Sequence, residues 1–306
     1  MHLRCRRQLA SLFSFTACLG TRLRHNGHMA DDPNWSLQEL REVIVRQQEL
    51  VRLVLHLLSE GPADLMGENL ISGLDHDKAR AVAATAMGAG QTTSTILNLS
   101  QETGIVVRDM YPLARSVVES YVNAAFFVTQ PVEIAQRAIR HKDFAAWKHV
   151  NRVIGNGDFM IALGSQEKIK PFLEKEFPEF AGRGQGAWTN LDVPSRIRLI
   201  GEKVRAAGGA LMGAYGGIYA ISSEIIHGSV FGTAYFYSFA SGDPRSDEGF
   251  RRGVLQQRID ILSAVSHATS GFLAAYAEIE KMGPLALVEH ELFQRLFRAA
   301  TGDEWQ

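Results

Sequence analysis

The sequence predicts an all-α protein, a single multi-helix bundle of about eight or nine helices. Apolar residues recur at steps of three, four and seven along most of the chain, and capping residues and Gly or Pro breakers fall at helix-length intervals. No run alternates long enough to read as a strand. With 306 residues, 46% of them hydrophobic, the chain can bury a large core, which excludes a disordered chain and a small disulfide scaffold. A formal net charge of −1 gives no global field toward nucleic acid or anionic lipid, so any such binding needs a local patch.

The bundle is expected over residues 35–299. Ser36-Leu-Gln-Glu39 is a capping box that opens an amphipathic helix carrying Leu37, Leu40, Ile44, Val51, Val54 and Leu58 on its apolar side. Gly61-Pro62 stops it. Further helices are expected over 77–102 and over 110–129, with Pro112 in the first turn of the latter. Another runs from 131 to 154, closed by Gly155-Asn-Gly157, and a short charged one covers 166–176. Gly182–Gly186 reads as a loop leading to Trp188. Helices over 194–207 and 211–227 follow, then a mobile or extended piece at 231–241. Asp243-Pro244 opens a long helix through Glu280, and Pro284 introduces the last one, to Ala299.

Residues 1–28 form a separate basic tail. It holds five arginines, no acidic residue and both cysteines, Cys5 and Cys18, and without it the chain carries 27 basic against 33 acidic residues. The tail reads as upstream translation with the start at Met29, as an export or lipoprotein signal, or as a transit peptide. Beyond it there is no cysteine, so neither a disulfide framework nor a thiolate metal site is available, which suits the cytoplasm. The windows 206–223 and 225–242 lack Asp, Glu, Lys and Arg apart from the boundary at Glu224. Their Gly, Ser and Tyr content reads as close packing rather than a membrane span.

Two apolar helices each carry a small, regularly spaced polar set. Arg115 and Glu119 are four apart, and Asn123 extends their stripe by a turn. Tyr219, Ser223 and His227 also step by four, with Glu224 three residues before His227. A charge on a buried helix must be paired or serve a purpose. The two sets are therefore expected to face each other, with Arg115 bridging Glu119 and Glu224 while Ser223 and His227 complete the network. Such a cluster is either a polar lock that fixes helix register or a site where Arg115 holds a phosphate-like anion. In the second case His227, tuned by Glu224, could act as general acid or base.

Arg115-x-x-x-Glu119, Trp188, Pro194-Ser-Arg-Ile-Arg198 with Glu202-Lys203, and Tyr219 with Ser223-Glu-Ile-Ile-His227-Gly-Ser229 resemble a widespread helical bacterial family. It is the domain of unknown function five-six-seven-seven, and the resemblance covers about residues 77–232. The family looks distantly like the HEPN group of ribonucleases and nucleotide binders found in toxin and defence systems. That group has Arg and His on one helix with four to six residues between them. Here the pairs Arg52/His56 and Arg137/His141 have three.

Arg137, His141, Lys148 and Arg152 fall within about 60° of one another on a helical wheel, so this stripe is either a solvated face or a contact for a phosphate backbone. Asp75-His76-Asp77 reads as a helix cap rather than a metal site. No phosphate-cradling Gly loop and no Gly-x-Ser-x-Gly are present, so no cofactor is expected. Three functions stay open. One is a cytoplasmic helical protein of a stress- or defence-type system that binds a partner, a second copy of itself, or a nucleotide-like anion. Another is a metal-independent ribonuclease using Arg115 and His227, with the basic stripe holding RNA. The third is an exported or lipid-anchored helical protein.

Overall fold

A computed structural model of the protein describes residues 33–102, 107–164, 166–181, 186–234 and 247–302; the tail 1–28 lies outside them. Eleven helices and two short hairpins occur among the described residues, so the architecture is all-α, with slightly more helices than the periodicity predicts. In chain order they are α1 (Pro33–Ser59), β1 (Ala63–Leu65), β2 (Glu68–Leu70), α2 (His76–Leu99), α3 (Val107–Thr129) and α4 (Val132–Val150). Then come β3 (Val153–Asn156), β4 (Phe159–Ala162), α5 (Gln166–Glu176), α6 (Pro178–Ala181), α7 (Val193–Lys203) and α8 (Arg205–Ile226). The last three are α9 (Val230–Ala234), α10 (Asp247–Ile279) and α11 (Gly283–Thr301).

The core is organised around α3 and α10. Helix α3 packs on α2, α7, α8 and α10, while α10 also touches α1, α8 and α11. Both are apolar on most faces, as a helix enclosed by others must be. In α3, Tyr111, Val117, Tyr121, Val122, Phe126 and Val128 are buried, and Tyr121 stacks on Phe272 of α10 with centroids 5.4 Å apart. Burying each such aromatic stabilises the fold by roughly 2 kcal/mol. The Tyr121 hydroxyl accepts a hydrogen bond from Gln48 Nε2 of α1 at 3.3 Å, and burial pushes its pKa up.

The interior also holds a polar chain between α1, α10 and α11. Gln47 Nε2 donates to the Ser266 carbonyl at 3.1 Å, Ser266 Oγ donates to Gln47 Oε1 at 2.8 Å, and Ser270 Oγ donates to Glu289. These bonds satisfy groups that would otherwise cost about 1–3 kcal/mol each when buried.

Several element boundaries differ from the sequence expectation. Helix α1 starts at Pro33, so Ser36 lies inside the helix and partly under neighbours rather than capping it. Helix α3 begins at Val107, which puts Pro112 in the second turn. Helix α4 ends at Val150; beyond it the β-branched Val153 and Ile154 enter a hairpin, with Gly157 at positive φ of 55° in its two-residue turn. The first hairpin turns through Met66 and Gly67, both at positive φ, which matches the right-handed twist of its strands. The expected helix over 194–207 breaks at Val204, and α8 begins directly after it. There Gly208 approaches Gly201 so closely that a Cβ on Gly208 would sit 2.5 Å from the Gly201 Cα. The Gly-rich sequence of α8 thus serves close helix crossing, and no helix among the described residues is long and apolar enough to cross a membrane. Asp75 caps α2, its carboxylate accepting from the Asp77 N–H at 2.8 Å. The beginning of the long helix at Asp243-Pro244 and most of 231–241 lie outside the described residues; Val230–Ala234 is helical.

Burial raises the Glu289 pKa from its ordinary 4.5 to about 7 and that of Asp260 from 3.8 to about 6. Between pH 4 and 7 the unfolded chain therefore releases protons that the folded chain keeps, so stability conferred by these groups falls as pH rises through that window. His267, held neutral by burial, acts in the opposite sense as pH falls below 6.5. Glu289→Gln removes the Glu289 share alone. Urea melts at pH 8 are expected to show the variant more stable by about 2–3 kcal/mol, the gain vanishing near pH 4. An equal difference at both pH values would contradict this assignment.

Candidate functional site

The exposed side of α3 is narrow because most of the helix is enclosed, and it carries Arg115, Glu119 and Asn123 on successive turns. Arg115 Nε donates to Glu119 Oε1 at 2.7 Å, the i,i+4 ion pair that the spacing anticipates. Its guanidinium lies over the ring of Tyr219 on α8, 4.3 Å from the centroid, and Tyr219 stacks on Tyr215 at 4.4 Å. These residues with Val118 and Ile218 line a shallow crevice between α3 and α8. Arg115 meets Tyr219 while Glu119 acts electrostatically on Tyr215, so the two helices run antiparallel here. Burial, the neighbouring Tyr219 and the Glu119 carboxylate push the Tyr215 hydroxyl up to about 12, with Arg115 opposing them. Tyr215 is therefore neutral across the physiological range, while Tyr219 supplies the ring face on which the Arg115 cation lies.

A second guanidinium completes the array from a residue not anticipated as a site member. Arg196 of α7 is only 8% exposed. It donates to Asn123 Oδ1 and to the Asp192 carbonyl, and it lies over Trp188, 5.4 Å from the ring centroid. Burial lowers its pKa, while Glu119 and Asp192 counter that effect. Glu119 is thus ion-paired to Arg115 and within electrostatic reach of Arg196. The signal in the sequence is the buried stripe of α7, Val193, Ile197 and Ile200, which runs past position 196. An arginine on that stripe has to find partners inside.

The other half of the expected cluster lies elsewhere along α8. Ser223 and Glu224 are half-buried and His227 is exposed. Among the described residues the Glu224 carboxylate and the His227 ring make no hydrogen bond or ion pair, so of the expected bridge from Arg115 to Glu119 and Glu224 the Glu119 half forms and the Glu224 half does not. The cluster is a partly exposed groove rim, not a buried knot. His227 is the C-cap of α8. Gly228 follows at φ 64°, its N–H donates to the Ile225 carbonyl, and the Ser229 N–H donates to the Glu224 carbonyl. This is a Schellman stop, and it requires the left-handed conformation that glycine adopts most easily. Ser223-to-Ser229 therefore has a structural role as a helix terminus.

The basic stripe on α4 is largely taken up by its own chain. Arg137 Nε donates to the Trp188 carbonyl at 3.1 Å and Nη2 donates to the Glu179 and Ala187 carbonyls, with the guanidinium over Phe180 at 4.5 Å. His141 Nε2 lies 3.0 Å from the Gly186 carbonyl, and its ring packs edge-on against Phe180. Lys148 lies 5.7 Å over Phe144 and is otherwise exposed. Arg152 is exposed but sits beyond the end of α4, so it does not share the stripe. Among the described residues no group of three or more His, Cys, Asp or Glu could hold a metal ion.

The chain belongs to the family of unknown function DUF5677, whose model matches residues 80–243. That segment contains Arg115, Glu119, Asn123, Trp188, Arg196 and Tyr219, whereas α1, α10 and α11 lie outside it. No curated protein and no solved structure matches the chain.

The two arginines are expected to differ sharply when removed. Arg196→Ala strips a buried charge from Asn123 and Trp188 and should cost about 2–4 kcal/mol in urea melts. Arg115→Ala breaks a half-exposed pair and should cost under about 1 kcal/mol. Equal losses would show that the two arginines do not occupy environments of such different burial.

Proposed function

We propose that this member of the family of unknown function is a binding protein that receives a phosphate-like anion at the groove between α3 and α8, with Arg115 as the contact residue. The observation that carries this is the presentation of Arg115. It is held on the Tyr219 face and tethered to a carboxylate, Glu119, that already has the buried Arg196 as a second cationic neighbour. An incoming phosphate can take the guanidinium from Glu119 while Arg196 keeps that carboxylate compensated. Tyr219 is engaged by both Arg115 and Tyr215, so the half-buried Tyr215 supplies the aromatic surface beside the cation, which suits a ligand with a planar base such as a nucleotide or an RNA end.

Ser223 and His227 lie one and two turns further along α8, on the side of the groove that a longer ligand would follow. His227 is eight residues from Tyr219, about 12 Å along the helix axis. One phosphate does not span that distance, so His227 serves as an outer contact rather than as an acid or base acting on the group that Arg115 holds. Binding without cleavage is therefore preferred over ribonuclease chemistry.

Calorimetric titration of the full chain with ADP and with a short RNA tests the assignment. Arg115→Gln should weaken binding by at least about tenfold, the worth of one charge-assisted bond. Glu119→Gln should tighten it, because the anion no longer competes with a carboxylate. If neither ligand binds, or if Glu119→Gln weakens binding as much as Arg115→Gln, the pair is only a register lock.

A further inference from the structure

We infer that the β3–β4 hairpin is the contact through which two copies of this chain pair, strand β4 of one copy lying antiparallel to β4 of the other. Every residue of both strands is exposed, and no other strand among the described residues pairs with either edge. The register puts Val153, Met160 and Ala162 on one pleat face and Ile154, Phe159 and Ile161 on the other. Both faces are therefore apolar, with Phe159 at 89% exposure. An isolated two-stranded ribbon is marginal in water, and a surface strand normally carries charges that block further pairing. Here Asp158 at the tip is the charged residue within 153–163.

A second copy fits this surface for three physical reasons. The unpaired edge needs a strand as partner, and a two-fold arrangement supplies one of matching length and polarity, giving a four-stranded sheet. Across the two-fold, Phe159, Met160 and Ile161 of one β4 come beside those of the other on both pleat faces, so pairing draws exposed apolar side chains together on each side of the new sheet. Antiparallel pairing also sets the tip of each hairpin beside the base of the other. That brings Asp158 of one copy toward Arg152 of the second, twice over by symmetry. The alternating Phe159, Met160, Ile161 and Ala162 leave β4 the regular edge. In β3, Gly155 turns to a φ of 86° and interrupts it.

The hairpin springs from a lobe whose own small core is Phe144, Phe177 and Phe180, separate from the main one. The pairing surface therefore stands apart from the α3–α8 groove, and its failure would leave the anion-binding proposal untouched.

Sedimentation velocity of the full chain, from low to high micromolar, should show a species of twice the 33.8 kDa chain mass. Ile161→Lys, which buries a charge at the pairing edge, and Met160→Pro, which removes a strand donor, should each give a monomer with unchanged helical circular dichroism. Amide exchange in 159–163 of the unaltered chain should slow as concentration rises, a readout that needs no variant. A monomer at every concentration, or a dimer that survives both substitutions, overturns the inference. So does a monomer whose 159–163 amides are protected only while residues 1–28 are present, because the tail would then be the occupant. Concentration-independent exchange combined with capture by anionic vesicles would assign the hairpin to a membrane surface and overturn it as well.

Discussion

The enclosure of α3 is the constraint from which most of this structure follows. A helix with Met110, Tyr111, Val117, Tyr121, Val122, Phe126 and Val128 distributed around it cannot leave a wide face to water, so α2, α7, α8 and α10 have to close around it. What remains uncovered is a strip about two residues wide per turn, with Arg115 beside Ser116 and Glu119 beside Ser120. Arg115, Glu119 and Asn123 occupy that strip, so they face the seam where α7 and α8 arrive. The polar array is a product of packing: the seam receives the side chains that the core will not accept.

The seam also explains why its two arginines differ so much in environment. Helix α7 crosses α8 at backbone contact through Gly201 and Gly208, which draws Arg196 under Trp188 and beside Asn123. Arg115 sits farther out, at the rim, where a tyrosine face and one carboxylate hold it. A cation on an aromatic face keeps part of its hydration and loses little on exchanging partners, whereas a sequestered guanidinium has no such freedom. On the anion-binding proposal, structural and ligand-holding roles coexist in one cluster, Arg196 maintaining the geometry and Arg115 meeting the ligand.

Periodicity made the helices legible because their apolar stripes are long, as in α1, α8 and α10, and the expected span of α5 matches the structure residue for residue. The misses share a physical cause. Val153 and Ile154 fall within the helix expected over 131–154, yet they stand exposed in a hairpin strand, because Gly155 and Gly157 favour a turn over continued helix. The break at Val204 is set by the crossing of α7 and α8, a tertiary event invisible in local propensity. The pairing of α3 with α8 was legible from two polar sets on apolar helices. The register between them was not, because antiparallel packing aligns Arg115 with Tyr219 and leaves His227 two turns away. The burial of Arg196 is not legible in the sequence, because a charge on a short amphipathic helix reads as part of its wet face until the helix crossing is known.

The segment from α4 to Trp188 shows a different way of holding structure together. Its three buried phenylalanines are too few to fix a lobe of this length by burial alone, at roughly 2 kcal/mol each. Cations supply the rest. Arg137 stands over Phe180, Arg140 over Phe177 and Lys148 over Phe144, while the same arginines donate to the carbonyls of Glu176, Glu179, Ala187 and Trp188. A basic stripe that resembles a nucleic-acid contact in sequence is, in space, the fastening of this lobe to its own helix. Replacing those carbonyls by phosphates would release the segment that carries Trp188 and, with it, the ring that shelters Arg196. The stripe and the groove are therefore coupled through Trp188, and the proposed anion would be better accommodated at the rim of the α3–α8 seam, where taking Arg115 from Glu119 leaves the Arg196–Asn123–Trp188 contacts in place.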